Sequence, residues 1–400
     1  MNAVIQDILV YLVYLVIVLR VAEGPKSINS FYMKENLRDS VIHGEMVCGR
    51  YECKEEDIPT WHNWFSGKDE PNPFVDFNQV RDINQWWLWV NTTLIPNVRV
   101  KNWYNGDPPY GLRGYLDDRV NRIIGYAVIR QVRERHGTCS APKEMEKYVD
   151  SCTGNLVTPY LNEDTRSYCM NWMPLIYENC TRMDEYQYRT EADRQSKSMK
   201  ADFDHYNGGG YELRLRGHID DLTNKIKTLQ NNNWIDNRTR ALITEFAVYN
   251  AQVNLFGVVK IVGEFIGGGV LPWFRVEVIA LTRQWDFEGY VTLACELLFI
   301  LSTMYYVINS LGVLKELGAR EFFRAAWNVM DVFTICLSAL AIGLWLLKTW
   351  VVLNLTQRIS KTRGNEYLSL EEAQTVNHWY EYTVSITVFT SLLKLCRLLR

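Results

Sequence analysis

The apolar runs of this 400-residue chain lie at its two ends, and the long stretch between them is polar, rich in Trp and Tyr and dotted with Gly and Pro. That division constrains the fold more than the totals do: the mean hydropathy, slightly negative, would suit a soluble protein. Four segments are candidate membrane spans, residues 8–21, 290–309, 325–347 and 382–400. The first is short, since about 20 apolar residues are typical of a bilayer crossing. Glu296 interrupts the second, and Asn328 and Asp331 interrupt the third. The fourth carries Lys394, Arg397 and Arg400 at i, i+3 and i+6, on one side of an apolar helix. Charges in such a helix are expensive and mark function. Helices of this kind sense voltage or couple to a pore, and a pore needs further spans.

The first segment also fits the apolar region of a signal peptide. However, no basic residue precedes it, Asp7 lies at its start, and Val21-Ala22-Glu23-Gly24 is a poor cleavage site. The expectation is an uncleaved span, residues 1–22, in a polypeptide that begins further upstream; a signal-like anchor is the rival.

Three signals set the orientation. Glycosylation sequons begin at Asn91, Asn179 and Asn237, between spans one and two, and at Asn354, between spans three and four. Four spans put both loops on one side, so all four can be exoplasmic. The connection between spans two and three carries Lys315, Arg320 and Arg324, as a cytoplasmic loop should. Arg20 runs against this pattern, and a basic segment upstream would remove the conflict. Cysteine usage is the third signal. Cys48, Cys53, Cys139, Cys152, Cys169 and Cys180 fall in the middle region, an even set that reads as disulfides in an oxidising compartment. Cys295, Cys336 and Cys396 fall in spans and read as reduced packing residues. No pair completes a zinc ligand set.

Residues 23–287 read as one exoplasmic domain of mixed structure. A helix is expected over 29–42. The Trp86, Trp87 and Trp89 stretch either fills a core or forms a ligand-binding aromatic face. Residues 127–133 read as a strand. A Gly-rich turn at 206–211 precedes a half-buried strand over 212–216. Asp220 is expected to cap a helix whose Leu222, Ile226 and Leu229 share a face, closed by Trp234. Two β-rich runs follow, 240–249 and 253–265, joined at Asn250, which suggests a β-β-helix-β-β sheet. Gly267 to Gly269 and Pro272 read as a break before the membrane, and no Lys-Ser/Thr follows to make the glycines a phosphate loop.

No enzyme signature is present: the six histidines are scattered, and HExxH, GxSxG, Walker and EF-hand patterns are missing. A net charge of −3 gives no sign of nucleic-acid binding. The intramembrane polar groups carry more. Asn328 and Asp331 share a helix face, and with Glu296, Lys394 and Arg397 they suggest one polar centre in a four-helix bundle. The acids either neutralise the basic helix or bind a cation such as calcium through oxygen. The third reading is interfacial placement with no role.

The chain resembles the polycystin family of the transient-receptor-potential channel superfamily along nearly its whole length. The residues that carry this are Trp234-Ile235-Asp236 with Thr239-Arg240-Ala241, Val248-Tyr249-Asn250, Val253-Asn254-Leu255-Phe256, the Tyr206 to Tyr211 turn, Ile129-Arg130-Gln131-Val132-Arg133, and Cys139 to Cys152. Ala294-Cys295-Glu296 and Phe323 through Trp327-Asn328 to Asp331 match in the membrane part. Each alone is weak, and jointly they are specific. Ser30-Phe31-Tyr32, Leu37-Arg38 and the Trp-rich stretch before Leu94-Ile95-Pro96-Asn97 are closer to the receptor-like polycystin-one branch.

The resemblance implies an α+β multi-pass membrane protein: a mixed α/β polycystin ectodomain, residues 23–287, inserted between the first and second transmembrane helices of a voltage-sensor-like bundle completed by residues 288–400. It implies a disulfide between Cys139 and Cys152, assembly with other polycystin subunits as a tetramer, and calcium-permeable cation conduction in a plasma or ciliary membrane. Spans five and six, the pore helix and the filter are missing, so the reading is a subunit or fragment unable to conduct on its own. Two alternatives remain: a non-conducting receptor-like subunit that partners a channel, and a membrane-anchored adhesion or ligand-binding module.

Overall fold

The computed structural model describes residues 2–24, 28–43, 76–100, 114–135, 142–145, 147–148, 162–176, 180–267, 269–283, 286–363 and 365–398. They form two compact units. A helical unit comprises Met1–Ile28, Ala280–Arg358 and Leu370–Arg400, and a mixed unit comprises Asn29–Ile279 with Ile359–Ser369. The main helices in chain order are α1 (Asn2–Glu23), α2 (Ile28–Arg38), α3 (Ile83–Trp89), α4 (Ile219–Asn231), α5 (Phe287–Arg324), α6 (Ala326–Thr362) and α7 (Glu371–Leu398).

The mixed unit is built on a seven-stranded antiparallel sheet of β1 (Asn121–Ile123), β2 (Ala127–Arg133), β3 (Tyr188–Arg189), β4 (Gly210–Leu215), β5 (Thr239–Asn250), β6 (Leu255–Ile266) and β7 (Gly269–Ile279). The order is β7-β6-β5-β2-β4-β3, with β1 also paired to β5. β5 and β6 make a long hairpin from Asn250↔Leu255 to Ala241↔Glu264. Asn254 in its turn takes a positive φ, which Asn tolerates.

The sheet corrects two expectations. Gly267 to Pro272 is no break: β6 is followed by β7, which pairs back on it, with Pro272 opposite Gly263. Proline is admitted because β7 is an edge strand, where a missing N–H goes unused. Likewise β4 is buried along nearly all its length rather than half-buried. Its polar Glu212 points into an interior of paired charges rather than into water.

The tryptophans fill the core. Trp86, Trp89 and Trp234 are fully buried, with Trp87 close behind. Trp89 Nε1 donates to Val41 O at 3.3 Å and Trp234 Nε1 to Glu185 O at 2.9 Å, so neither indole is stranded. Helix α4 buries Leu222, Ile226 and Leu229 as its spacing demands. Its N-cap is His218, not Asp220, which lies in the first turn where a negative charge suits the helix dipole. Cys169 and Cys180 form a disulfide with Cα atoms 5.7 Å apart, an ordinary separation. Cys48, Cys53, Cys139 and Cys152 lie outside the described residues.

In the helical unit, α1 packs on α5 and α7 around Tyr11, Tyr14, Val18, Val21, Phe299, Tyr380 and Val384. Helix α5 runs past its expected end and is interrupted at Gly318, where φ is +73°. Lys315, Arg320 and Arg324 therefore lie on α5, not in a loop. Helix α6 extends to Thr362 and takes Asn354 with it. Among the described residues, three helices are long and apolar enough to cross a membrane, one starting in α1, then α5 and α6. The expected fourth is helical but is not among them. Thr383, Thr387, Thr390 and Ser391 stand where a span would place aliphatics, and all four are buried. Trp379, Tyr382, Ile386 and Phe389, on its other side, are exposed.

Candidate functional site

Three of the four long helices each give a group to a single cation on the fourth. Lys394 sits near the end of α7, and its Nζ lies 2.9 Å from Asp331 Oδ1 on α6. Tyr11 of α1 and Tyr306 of α5 turn their rings toward the same ammonium, with centroids 5.3 and 5.0 Å away. Both distances suit cation–π attraction. Tyr14 holds Tyr306 edge-on at 5.0 Å. Tyr11 is fixed at its other end, its hydroxyl donating to Ser391 O at 2.6 Å. Lys394 and Asp331 each keep about a quarter of their side-chain surface exposed, at 22% and 24%. A small cavity beside them is lined by Thr303, Asn309, Thr334 and Ser338, polar groups on α5 and α6.

The expected single polar centre is not formed. Glu296 pairs with Arg283, which precedes α5, and Arg283 also donates to Gly289 O at 3.3 Å. Asn328 donates through Nδ2 to Phe322 O at 3.2 Å, tying the start of α6 to the end of α5. Glu296, Asn328 and Asp331 thus have separate partners. No group of three or more His, Cys, Asp or Glu residues is placed to hold a metal ion among the described residues. Arg397 lies on α7, but its side chain, and the whole of Arg400, fall outside the described residues. Sequence reasoning missed Tyr11, Tyr306 and Arg283. Tyr11 and Tyr14 at i, i+3 inside an apolar run were the available signal.

The mixed unit holds a second cluster, fully buried. Glu245 on β5 accepts from Arg130 Nη2 at 3.4 Å and from Arg194 Nη2 at 3.5 Å. Burial alone would raise the Glu245 carboxyl, but Arg130 and Arg194, with Lys260, hold it down to about 2. Arg130 also donates to Gly209 O at 3.0 Å, and Arg194 to Gly208 O at 2.7 Å. The Gly-rich turn is therefore a carbonyl cradle for two buried arginines. A Cβ on Gly209 would lie 2.2 Å from the Tyr188 hydroxyl, so only glycine fits. The Trp234-Ile235-Asp236 motif works similarly. Gln131 Nε2 donates to Trp234 O at 2.8 Å and to Thr239 Oγ1 at 2.6 Å, while Asp236 pairs with Arg133 at 2.5 Å. Arg133 lies over the Trp172 ring, its Cζ 3.3 Å from the centroid.

The sequons occupy unlike settings. Asn237 is exposed in a turn closed by Thr239 N to Asp236 O, at the rim of a cleft of about 400 Å³. Asn91 is half-buried and donates through Nδ2 to Trp87 O at 3.1 Å. Asn354 lies within α6, and Asn179 is outside the described residues.

Comparison with known proteins gives the family. The family model of the polycystin domain matches residues 76–282. That of the polycystin cation channel matches residues 281–400. Location of vulva defective 1 of Caenorhabditis elegans is 28% identical over 81% of this chain and 10% of its own length. Polycystin-2-like protein 1 of Homo sapiens is 23% identical over 98% of this chain and 44% of its own. Polycystin-2 of Danio rerio is 24% identical over 99% and 40%. The chain thus spans less than half the length of each of these relatives.

Proposed function

The chain belongs to the polycystin family, and from that premise we propose that these 400 residues supply the exoplasmic assembly domain and the sensor-like helical bundle of a cation-channel subunit. The observation that carries this is Lys394, one ammonium on α7 held by a carboxylate and two rings from the other three helices. A charge so held has a preferred position and alternative polar partners beside it. Moving one elementary charge across a membrane potential is worth about 2.3 kcal/mol per 100 mV, comparable to the contacts that hold it. Asp331 then acts as a counter-charge, in preference to calcium binding at Glu296, Asn328 and Asp331, whose partners differ.

Membrane insertion is supported by α7, whose hydroxyls face inward and whose aromatic and aliphatic residues face outward, the reverse of a soluble helix. The mixed unit is taken as exoplasmic on its sequons and on the Cys169–Cys180 disulfide. The partners are other polycystin subunits, in a tetramer that conducts cations including calcium in a plasma or ciliary membrane. The motifs around Ser30 and Leu94 favour a subunit of the receptor-like branch that works beside a channel-forming partner. The 400 residues expressed alone are expected to carry no cation current.

Co-expression tests this. With a channel-forming polycystin subunit, the chain should co-purify, and Lys394→Gln should make the current less steeply voltage-dependent while Lys394→Arg preserves the slope. Failure to co-assemble overturns the assembly role. A slope indifferent to Lys394→Gln overturns the sensor role.

A further inference from the structure

The cleft beside Asn237 lies wholly within the mixed unit. Its walls are the entry to α3 at Asp82 and Ile83, the turn into β5 at Asp236, and the end of β6 and start of β7 at Phe265 and Val270. These walls are tied to one another. Val270 N donates to Arg81 O at 2.8 Å, joining β7 to the entry of α3. Arg240 Nη1 donates to Phe265 O at 3.3 Å, joining β5 to β6. Asp82 caps α3, accepting from Gln85 N at 2.7 Å. A Cβ on Gly269 would lie 2.7 Å from Arg81 O, so glycine is what lets the two backbones approach. The cleft is thus pre-formed, which spares an occupant the cost of ordering it. Its volume of about 400 Å³ falls among small-molecule sites, which run from about 300 to 1,000 Å³.

The lining suits an N-acetylated sugar. Ile83 and Phe265 offer apolar surface to ring C–H groups and an acetamido methyl, and the exposed Asp82 and Asn84 offer hydrogen-bonding groups to hydroxyls. The chain can place such a sugar there itself. Asn237-Arg238-Thr239 is an acceptor sequence, and Asn237 is exposed at the rim. Thr239 is buried, its hydroxyl accepting from Gln131 Nε2 at 2.6 Å and donating to Asp236 Oδ1 at 3.2 Å. A transferase can therefore read this sequon only before the mixed unit folds, so the sugar is already attached when the walls close.

We propose that the first N-acetylglucosamine of a glycan on Asn237 folds back into this cleft and braces the entry of α3 against the start of β7. The proposal rests on the exoplasmic reading of the mixed unit, since only there is the glycan added. Attachment joins Asn237 Nδ2 to C1 of the sugar. The amide loses one proton, and the diphosphate of a lipid-linked oligosaccharide donor departs from C1. The enzyme that does this lies outside the chain. The cleft acts afterwards, by holding the attached ring.

Hydrogen exchange of the full chain tests the seat, read by mass spectrometry at the amides of Gln85 and Val270. The protein is made in cells that add oligomannose glycans and is held in nanodiscs. Three forms are compared: the intact glycan, the glycan trimmed by an endoglycosidase to one N-acetylglucosamine, and Asn237→Gln. The one-sugar form should exchange as slowly as the intact form. Asn237→Gln should exchange roughly two- to ten-fold faster, the effect of about one hydrogen bond. Amides of β4 should not change. Phe265→Ala keeps the sequon and removes an apolar wall, so in that background glycosylated and Asn237→Gln forms should exchange alike. Equal exchange in all three forms, an equal rise in β4, or protection lost on trimming to one sugar overturns the seat. So does a full difference that survives Phe265→Ala, or a glycan on another sequon with none on Asn237. Each of these leaves the exoplasmic placement standing. A glycan on no sequon overturns that placement as well, so the two failures are distinguishable.

Discussion

Two carboxylates that feel the same arginine, Arg130, behave in opposite ways. Burial pushes Glu163 up to about 7, against the pull of Arg130. Glu245 is held down to about 2, because Arg130 and Arg194 together outweigh its burial. The usual value for both is 4.5. Between pH 4.5 and 7 the folded state therefore binds more proton at Glu163 than the unfolded state does. That contribution is fully present below pH 4.5 and is lost as pH rises through 7. The contribution of Glu245 is present above 4.5 and is lost as pH falls toward 2. Glu163→Gln should flatten the stability profile between pH 5 and 7. At pH 8 it should stabilise the mixed unit by about 1–3 kcal/mol, read by urea titration of tryptophan fluorescence at pH 5 and 8. In the helical unit, Asp331→Asn leaves Lys394 without its carboxylate. The pair is partly exposed, so the cost should be about 1–3 kcal/mol, below that of a fully buried pair. Swapping the two, Asp331→Lys with Lys394→Asp, should recover part of the thermal stability in detergent. Recovery stays incomplete because the cation leaves the rings of Tyr11 and Tyr306, each worth roughly 0.5–1 kcal/mol.

At the scale of elements, position decides what a motif can do. All four sequons read alike in sequence, yet the three asparagines among the described residues differ in access. Asn237 is exposed in a turn, whereas the Asn91 amide is committed to Trp87 O and Asn354 is part of a long helix. A glycan is bulky and needs a free surface. Peptide mapping after enzymatic deglycosylation should find the mass mark of modification at Asn237 and none at Asn91 or Asn354. A mark at Asn91 would mean that α3 and the turns after it rearrange to expose it. The buried face of α4 was legible, because the i, i+4, i+7 spacing reports burial directly, and strands β2, β5 and β6 were legible as strands from their alternating or β-rich runs, although they are buried on both faces rather than one. β7 was not, since Gly and Pro signal a break unless the strand is known to lie at an edge. The ion-pair partners were not legible either. That Glu296 meets Arg283 while Asp331 meets Lys394 depends on how helices pack, which no periodicity encodes.

At the scale of the whole molecule, the order of elements was readable: an apolar start, a mixed middle and an apolar end. The connection from α6 to α7 was read only as an exoplasmic loop, and the structure makes it part of the sheet domain. That arrangement has a consequence for synthesis. The ribosome delivers Ile279, the last residue of the sheet, well before Ile359. At 5–20 residues per second the interval is roughly 4–16 s. Over those seconds α5 and α6 emerge while the place of Tyr367 beside Tyr126, where its hydroxyl meets Glu245 Oε2, waits unfilled. The domain can close only after two helices have been handed on, so its completion follows the making of α5 and α6.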